Sequence, residues 1–169
     1  RGREIIPLEQ EICHVRSYLD IQKMRYGDRL DYQIRIPEEL KKLYTVKLLI
    51  QPLAENSIYH GIKESDRKGT ILITAGEEPG GFYLCVRDDG LGISQETLTI
   101  LNADLKRGVT VSDGGYGIFN VNERIRLYFG RDYGLELRSC TGEWTEAVIH
   151  LPKYIPERTE WDVSDFDRR

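Results

Sequence analysis

The chain has 169 residues, enough for one domain with a core of its own. Hydrophobic residues make up 40% and charged residues 31%, and the formal charge of −4 gives no reason to expect a nucleic-acid partner, which would normally demand a basic surface. No apolar run approaches the roughly 18 residues of a membrane span, and no secretory leader opens the sequence. It begins Arg1-Gly2-Arg3 without an initiator Met, which predicts a piece of a longer protein. Cys13, Cys85 and Cys140 are an odd number with no CxxC pair. No disulfide framework or zinc site is expected; the three read as small buried hydrophobes in a reducing compartment.

In chain order, Leu8, Ile12, Val15 and Leu19 predict an amphipathic helix over about 7–26, ended by Gly27. Leu30, Tyr32, Ile34 and Ile36 alternate with polar residues as a strand does, and Pro37 stops it. Val46, Leu49, Ile50 and Leu53 predict a second helix over 46–60, with Pro52 kinking it or beginning its better half and Gly61 as terminator. Strands at 70–75 and 82–87 flank a turn at 77–81, and a short helix follows the N-cap residue Ser94. Residues 106–116 read as a mobile loop rich in Gly, Ser and Asp. Ile118, Val121, Ile125 and Tyr128 or Phe129 predict a third long helix closed by Gly130, and 134–139 with 144–151 a last hairpin. From Pro156 the sequence turns into a charged tail. Strands arriving as hairpins argue against a doubly wound parallel sheet. The expected fold is α+β: a two-layer α/β sandwich, a mostly antiparallel mixed sheet with helices on one face.

Three segments carry chemistry. On the second helix, Asn56, His60 and Lys63 stand at i, i+4 and i+7, on one edge beside the apolar stripe. An amide oxygen there suits Mg²⁺, and His60 and Lys63 would add donors toward phosphate or ribose. Taken by itself, that edge reads more readily as a solvated polar face, and the neighbouring motifs reverse that balance. Asp88 follows the apolar run Phe82-Tyr83-Leu84-Cys85-Val86, so its carboxylate could accept from an adenine amino group while strand residues wall the base. Gly90 and Gly92 would let the backbone approach a ring. A plain Asp-Gly turn is the competing reading, whereas an EF-hand would need Glu where Thr99 stands. Finally, Gly114-Gly115-Tyr116-Gly117 leads into the third helix, whose start would bind a di- or triphosphate. A Rossmann fingerprint would need glycine at Asn120, and no Gly-Lys-Ser/Thr is present for a P-loop.

In this order, Asn56, Asp88-x-Gly90-x-Gly92 and Gly115-x-Gly117 resemble the N, G1 and G2 boxes of the Bergerat-fold ATPases, which include gyrase, histidine kinases and MutL. Leu8-Glu9-Gln10-Glu11, the run from Tyr18 to Leu30, Gln51 to Asn56 with His60-Gly61, and Gly117 to Ile125 narrow the resemblance to LytS/YesM-type sensor histidine kinases, over about residues 8–152. It implies a linker helix at 1–29 from a dimerisation and phosphoacceptor region, an ATPase domain at 30–152, and a tail at 153–169. It implies ATP and Mg²⁺ as cofactors and transfer of the γ-phosphoryl to a histidine on a preceding helix. Asn56 would hold Mg²⁺ and Asp88 the adenine. Gly90, Gly92, Ile93, Gly115, Gly117 and Ile118 would frame the site, the 94–116 segment would be its lid, and Asn120, Arg124 and Thr145 are further candidates.

Two departures bear on function. Pro52 stands where gyrase-type members keep a general-base Glu, so water activation is not expected, and Glu55, Gln51 or His60 could act only from another angle. No Asn-Pro-His-Phe-type acceptor motif is present. His14 lies off the apolar stripe and is not expected to accept phosphate; His150 is expected to be a packing residue. The reading is therefore the catalytic ATP-binding domain of a two-component sensor kinase, the cytoplasmic part of an inner-membrane protein. Its partners would be its own dimerisation and phosphoacceptor domain, a second copy in the full-length dimer, and a response regulator. A nucleotide-binding scaffold or pseudokinase is the alternative, and a gyrase- or MutL-like ATPase a weaker one.

Overall fold

A computed structural model describes residues 4–63, 67–108 and 117–155. Its strands are β1 (Ile5–Pro7), β2 (Leu30–Arg35), β3 (Tyr44–Val46), β4 (Gly69–Glu78), β5 (Gly81–Asp88), β6 (Gly134–Cys140) and β7 (Trp144–Leu151). The α-helices are α1 (Leu8–Tyr26), α2 (Glu38–Lys41), α3 (Ile50–Asn56), α4 (Gln95–Arg107) and α5 (Gly117–Phe129). Five strands form the main sheet in the order β2-β4-β5-β7-β6. Only the β2–β4 pair is parallel; the others are antiparallel. The expected two-layer sandwich is the fold observed.

Period-two alternation sets the inner face of the sheet. Ile71 and Ile73 of β4, Phe82, Leu84 and Val86 of β5, Ile149 and Leu151 of β7, and Leu135 and Leu137 of β6 are all buried there. They join Leu8, Ile12, Val15 and Leu19 of α1, Ile50 and Leu53 of α3, and Ile118 and Ile125 of α5 in one core. Gly27, at φ 58°, ends α1 as its sequence predicts. At the sheet edge, Leu135 N–H donates to Asn122 Oδ1 and Leu137 N–H to Asn102 Oδ1, both 2.9 Å. Asn102 Nδ2 donates back to the Leu137 carbonyl at 2.8 Å. Two asparagine side chains thus serve edge groups of β6 that lack a further strand.

Several boundaries differ from the sequence expectation. The second helix starts at Ile50, because Val46 belongs to β3, which pairs with β1; neither short strand was legible. Pro52 is the third residue of α3, in the turn whose N–H groups have no intrahelical partner, so it neither breaks nor kinks it. Beyond Asn56 the helix continues as a π-turn, Ser57–Ile62, closed by Lys63 N–H to the Ile58 carbonyl at 2.8 Å, so Gly61 does not terminate it. The helix after Ser94 is 13 residues long and takes up much of the expected lid, including 106 and 107; Ser94 accepts from Thr97 N–H as its cap. Residues 109–116 and the tail from 156 lie outside the described residues. Of the cysteines only Cys85 is buried: Cys13 is exposed and Cys140 intermediate, because their positions fall off the apolar faces. His150 sits partly buried, with Nδ1 2.9 Å from Glu78 Oε1, a polar pairing where packing was expected.

Candidate functional site

Strand register places three polar side chains in one row at the end of the otherwise apolar inner face. Asp88 of β5 lies opposite Thr145 of β7, and Thr145 opposite Ser139 of β6. The neighbouring inward row is Val86, Ala147 and Leu137. Together Asp88, Thr145 and that apolar row line a cavity of about 380 Å³. Leu53, Asn56, Ser57, His60 and Gly61 close it on the helix side, and Leu91, Gly92, Ile93, Ser94, Thr97, Leu101 and Ile118 complete it. The shape is a mostly apolar slot with one carboxyl group at its end, suited to a flat heteroaromatic ring carrying a hydrogen-bond donor.

Asp88 is 3% exposed. It accepts from Gly90 N–H at 3.1 Å and hydrogen-bonds the Ser57 side chain. Burial pushes its carboxyl up to about 6, against the downward pull of those two hydrogen bonds. Asp89 is occupied elsewhere: its Oδ1 accepts from Thr70 N–H at 2.6 Å. Of the adjacent pair, only Asp88 lines the cavity.

Backbone proximity explains two glycines around Asp88. A Cβ on Gly61 would sit 2.5 Å from Asp88 Oδ1, and one on Gly90 would overlap the Gly61 backbone. Gly90→Ala is therefore expected to cost about 1–3 kcal/mol through overpacking. The check is a lower urea midpoint at unchanged m-value; an unmoved midpoint would contradict the close approach. Gly92 has φ 68°, and a Cβ there would run into the Cys140 carbonyl. The turn it forms is stitched to the β6–β7 hairpin: Gly142 N–H donates to the Leu91 carbonyl at 2.6 Å and Ile93 N–H to Ser139 Oγ at 2.8 Å.

A second cavity, of about 760 Å³, adjoins the first and shares Asn56 and His60 with it. It is lined by Tyr18, Gln22, Arg25 and Tyr26 of α1, by Glu55, Ile58, Tyr59 and Lys63, and by Gly117 at the start of α5. A π-turn lies between Asn56 and Lys63, a feature that recurs at functional sites. Glu55 accepts from Gln51 Nε2 at 2.9 Å. A Cβ on Gly117 would lie 3.2 Å from that of Pro52, so this glycine lets α5 approach α3.

Of the residues singled out from sequence, Asn56, His60, Asp88, Gly92, Ile93, Ile118 and Thr145 line the first cavity. Lys63, Glu55 and Gly117 line the second. Gly90 stands behind Asp88. Asn120 is exposed and lines neither cavity, and Arg124 is held by Glu4, Nη2 to Oε2 at 3.1 Å, away from both. Gly115 lies outside the described residues. Sequence reading passed over Ser57 and Ser139, and took Gly61 for a helix terminator and part of a motif without giving it a place in the site. Gly61 had a signal in its place beside His60, whereas Ser57 and Ser139 enter only through the π-turn and the strand register.

Residues 44–155 match the profile of the histidine kinase-, DNA gyrase B- and HSP90-like ATPases. The chain belongs to this ATPase family. Residues 1–30 match a second profile, described as histidine kinase. Relatives of this ATPase-family chain include the sensor histidine kinase YesM of Bacillus subtilis, 34% identical over 150 residues, or 89% of this chain and 24% of that protein. The sensor histidine kinase BtsS of Escherichia coli is 33% identical over 152 residues, covering 90% and 25%. The chain thus spans about a quarter of the length of these curated relatives. Among solved structures, the catalytic domain of histidine kinase ThkA superposes with TM-score 0.64 at 14% identity, covering 90% of this chain and 97% of that one. Acinetobacter baumannii AdeS gives 0.62 at 16%, covering 92% and 70%. These two likenesses establish the fold.

Proposed function

We propose that this chain is the catalytic ATP–Mg²⁺-binding part of a two-component sensor histidine kinase, presenting the γ-phosphoryl of ATP to a histidine supplied by another segment. The observation that carries this reading is the buried Asp88 carboxyl at the end of an apolar slot, with Asn56 at the junction of that slot and a second cavity. Val86, Ala147 and Leu137 would lie under the base, and the Asp88 carboxylate would accept from the adenine amino group. Asn56 would hold Mg²⁺. Among the described residues no three His, Cys, Asp or Glu side chains converge as a metal cage. One amide completed by phosphate oxygens and waters is a donor set this hard cation accepts. The metal would neutralise charge developing on the transferred phosphoryl group.

The chain's own work would be positioning: it orients the nucleotide, excludes water around the base, and leaves the nucleophile to its partner. Pro52 at the base position of the water-activating relatives agrees with that division. The acceptor would lie on the dimerisation and phosphoacceptor domain of the parent protein, with a second copy and a response regulator as further partners. Among the described residues no helix is long and apolar enough to cross a membrane, so anchoring in an inner membrane would fall to other parts of the parent.

The test supplies γ-labelled ATP and Mg²⁺ to the purified chain, alone and with the separately purified phosphoacceptor domain of its parent. Label is expected on the acceptor only when both are present, and none on His14. Binding without transfer would favour a nucleotide-binding scaffold. Steady phosphate release without an acceptor would favour a gyrase-like ATPase.

A further inference from the structure

The cavity that contains Asp88 has a lining unlike the whole of a nucleoside triphosphate. Its described lining residues include no lysine or arginine. It can seat a base and sugar, but it offers no permanent positive charge to a polyphosphate. The neighbouring cavity does: Arg25 and Lys63 line it, and it adjoins the first at the shared Asn56 and His60. A nucleotide spanning both would set its base at the carboxyl end and its phosphates at the cationic end, past the shared amide.

We propose that Arg25, on α1, is a phosphate-positioning residue that receives the terminal phosphate of the bound nucleotide in the second cavity, with Lys63 as its counterpart in the same lining. This rests on the reading of the first cavity as an adenine site. Arg25 lies against the ring of Tyr26, its Cζ 5.7 Å from the ring centroid, and Lys63 Nζ lies 4.5 Å from that of Tyr59. Each cation thus rests on an aromatic face beside the cavity, which limits the rotamer freedom lost on meeting an anion. Tyr18, also on α1, adds a hydroxyl donor whose proton stays in place, its pKa raised to about 12 by burial and by Glu55. Glu55 is the carboxylate of this cavity, tied to Gln51, and it would repel a phosphate brought to its side. The favourable approach is therefore toward the two cations and away from Glu55.

The consequence is regulatory. Arg25 belongs to the segment that matches the histidine kinase profile at 1–30, separate from the ATPase profile at 44–155. A nucleotide held by both makes the position of α1 relative to α3 part of the affinity for ATP, and least so for a nucleotide lacking the terminal phosphate. A displacement of α1 would then alter the preference for ATP over ADP without touching the base site.

Calorimetric titration of the whole chain with ATP–Mg²⁺ and with ADP–Mg²⁺ tests this, in wild type, Arg25→Gln and Arg25→Lys. In Arg25→Gln the ATP affinity is expected to fall about tenfold, the usual order for one charge-assisted phosphate contact, while ADP affinity changes less than about twofold. Arg25→Lys is expected to restore part of the loss, since the charge returns without the fork. Arg25 is exposed, so the variants should fold, which far-UV circular dichroism confirms. An equal loss for both nucleotides would overturn the proposal in favour of a general effect on α1. So would unchanged ATP affinity, including the case where transfer to an acceptor falls and the cavity serves that acceptor. If wild type binds neither nucleotide, the adenine-site reading fails and this proposal with it.

Discussion

Asp88→Asn should make the chain more stable at pH 7.5 and at the same time unable to hold adenine nucleotides well. The carboxyl is buried, and its pKa rises from 3.8 to about 6, with desolvation the leading cause. A shift of that size corresponds to about 3 kcal/mol as an upper bound, spent on keeping the charged form inside the fold above pH 6. Between pH 3.8 and 6 the folded state binds more protons at this site than the unfolded chain, so its contribution to stability falls as pH rises through that window. An asparagine keeps an oxygen for Gly90 N–H and a partner for Ser57 but carries no charge. The expected gain is about 1–3 kcal/mol above pH 6, roughly 2–4 °C in Tm for each kcal/mol, and it should vanish near pH 4, where Asp88 itself is neutral. A variant no more stable at pH 7.5, or one whose advantage persists at pH 4, would refute the cost assigned to this carboxylate.

Binding should move the other way. The adenine amino group needs an acceptor, and an amide in place of the carboxylate removes the charge-assisted bond and can present a donor instead. ATP affinity is expected to drop roughly 10–100-fold. In wild type, affinity should also decline below about pH 6, as protons compete for Asp88. Gain in stability with loss of binding marks a group kept for its ligand and held at a cost to the fold.

Much of this was legible before any coordinates. The apolar stripe of α1, the alternation in β2, β4, β5 and β7, and the Ser94 cap are local patterns, and they mark where the elements lie. Asp88, Asn56, Gly92 and Thr145 line one cavity because a strand end, a helix end and a turn converge there. Non-local terms were not legible. Val46 reads as a helical stripe residue, yet β1 captures it as a strand through an edge no local pattern announces. Ser57 reaches Asp88 from the first residue of a π-turn, which inserts extra backbone without a distinctive residue to mark it. Arg124 is on the helix that begins at Gly117, as its sequence suggests, but its charge is claimed by Glu4, some 120 residues away in sequence, and it lines neither cavity. Glycines at 61 and 90 make sense only as a mutual contact across two elements.

Glu11→Ala should unfold much of the margin that keeps the Asn56 helix in place. Glu11 is 1% exposed, and its carboxyl group accepts three backbone N–H groups. Leu48 donates at 2.8 Å to one oxygen, while Leu49 and Ile50 donate at 2.6 and 2.9 Å to the other. Leu48, at φ 58°, is the non-glycine residue with positive φ among those described, and its turn aims consecutive N–H groups at one point, an anion-binding nest. α3 has no side-chain cap of its own, so a carboxyl from α1 caps it through space. Removing that group leaves two buried donors, those of Leu49 and Ile50, without partners at about 1–3 kcal/mol each before water enters, and the part-buried Leu48 N–H at less. The net loss is expected to be about 3 kcal/mol or more by urea denaturation. Glu11→Gln, which keeps an acceptor oxygen but not the charge, should lose roughly half as much. Because Asn56 ends the helix that Glu11 starts, ATP affinity at low urea should fall in the alanine variant in step with its folded fraction and recover when the neutral osmolyte TMAO restores the fold. Equal stability of Glu11→Ala and wild type would show that water replaces the cap at no cost. The cap would then no longer tie α1 energetically to the Asn56 helix.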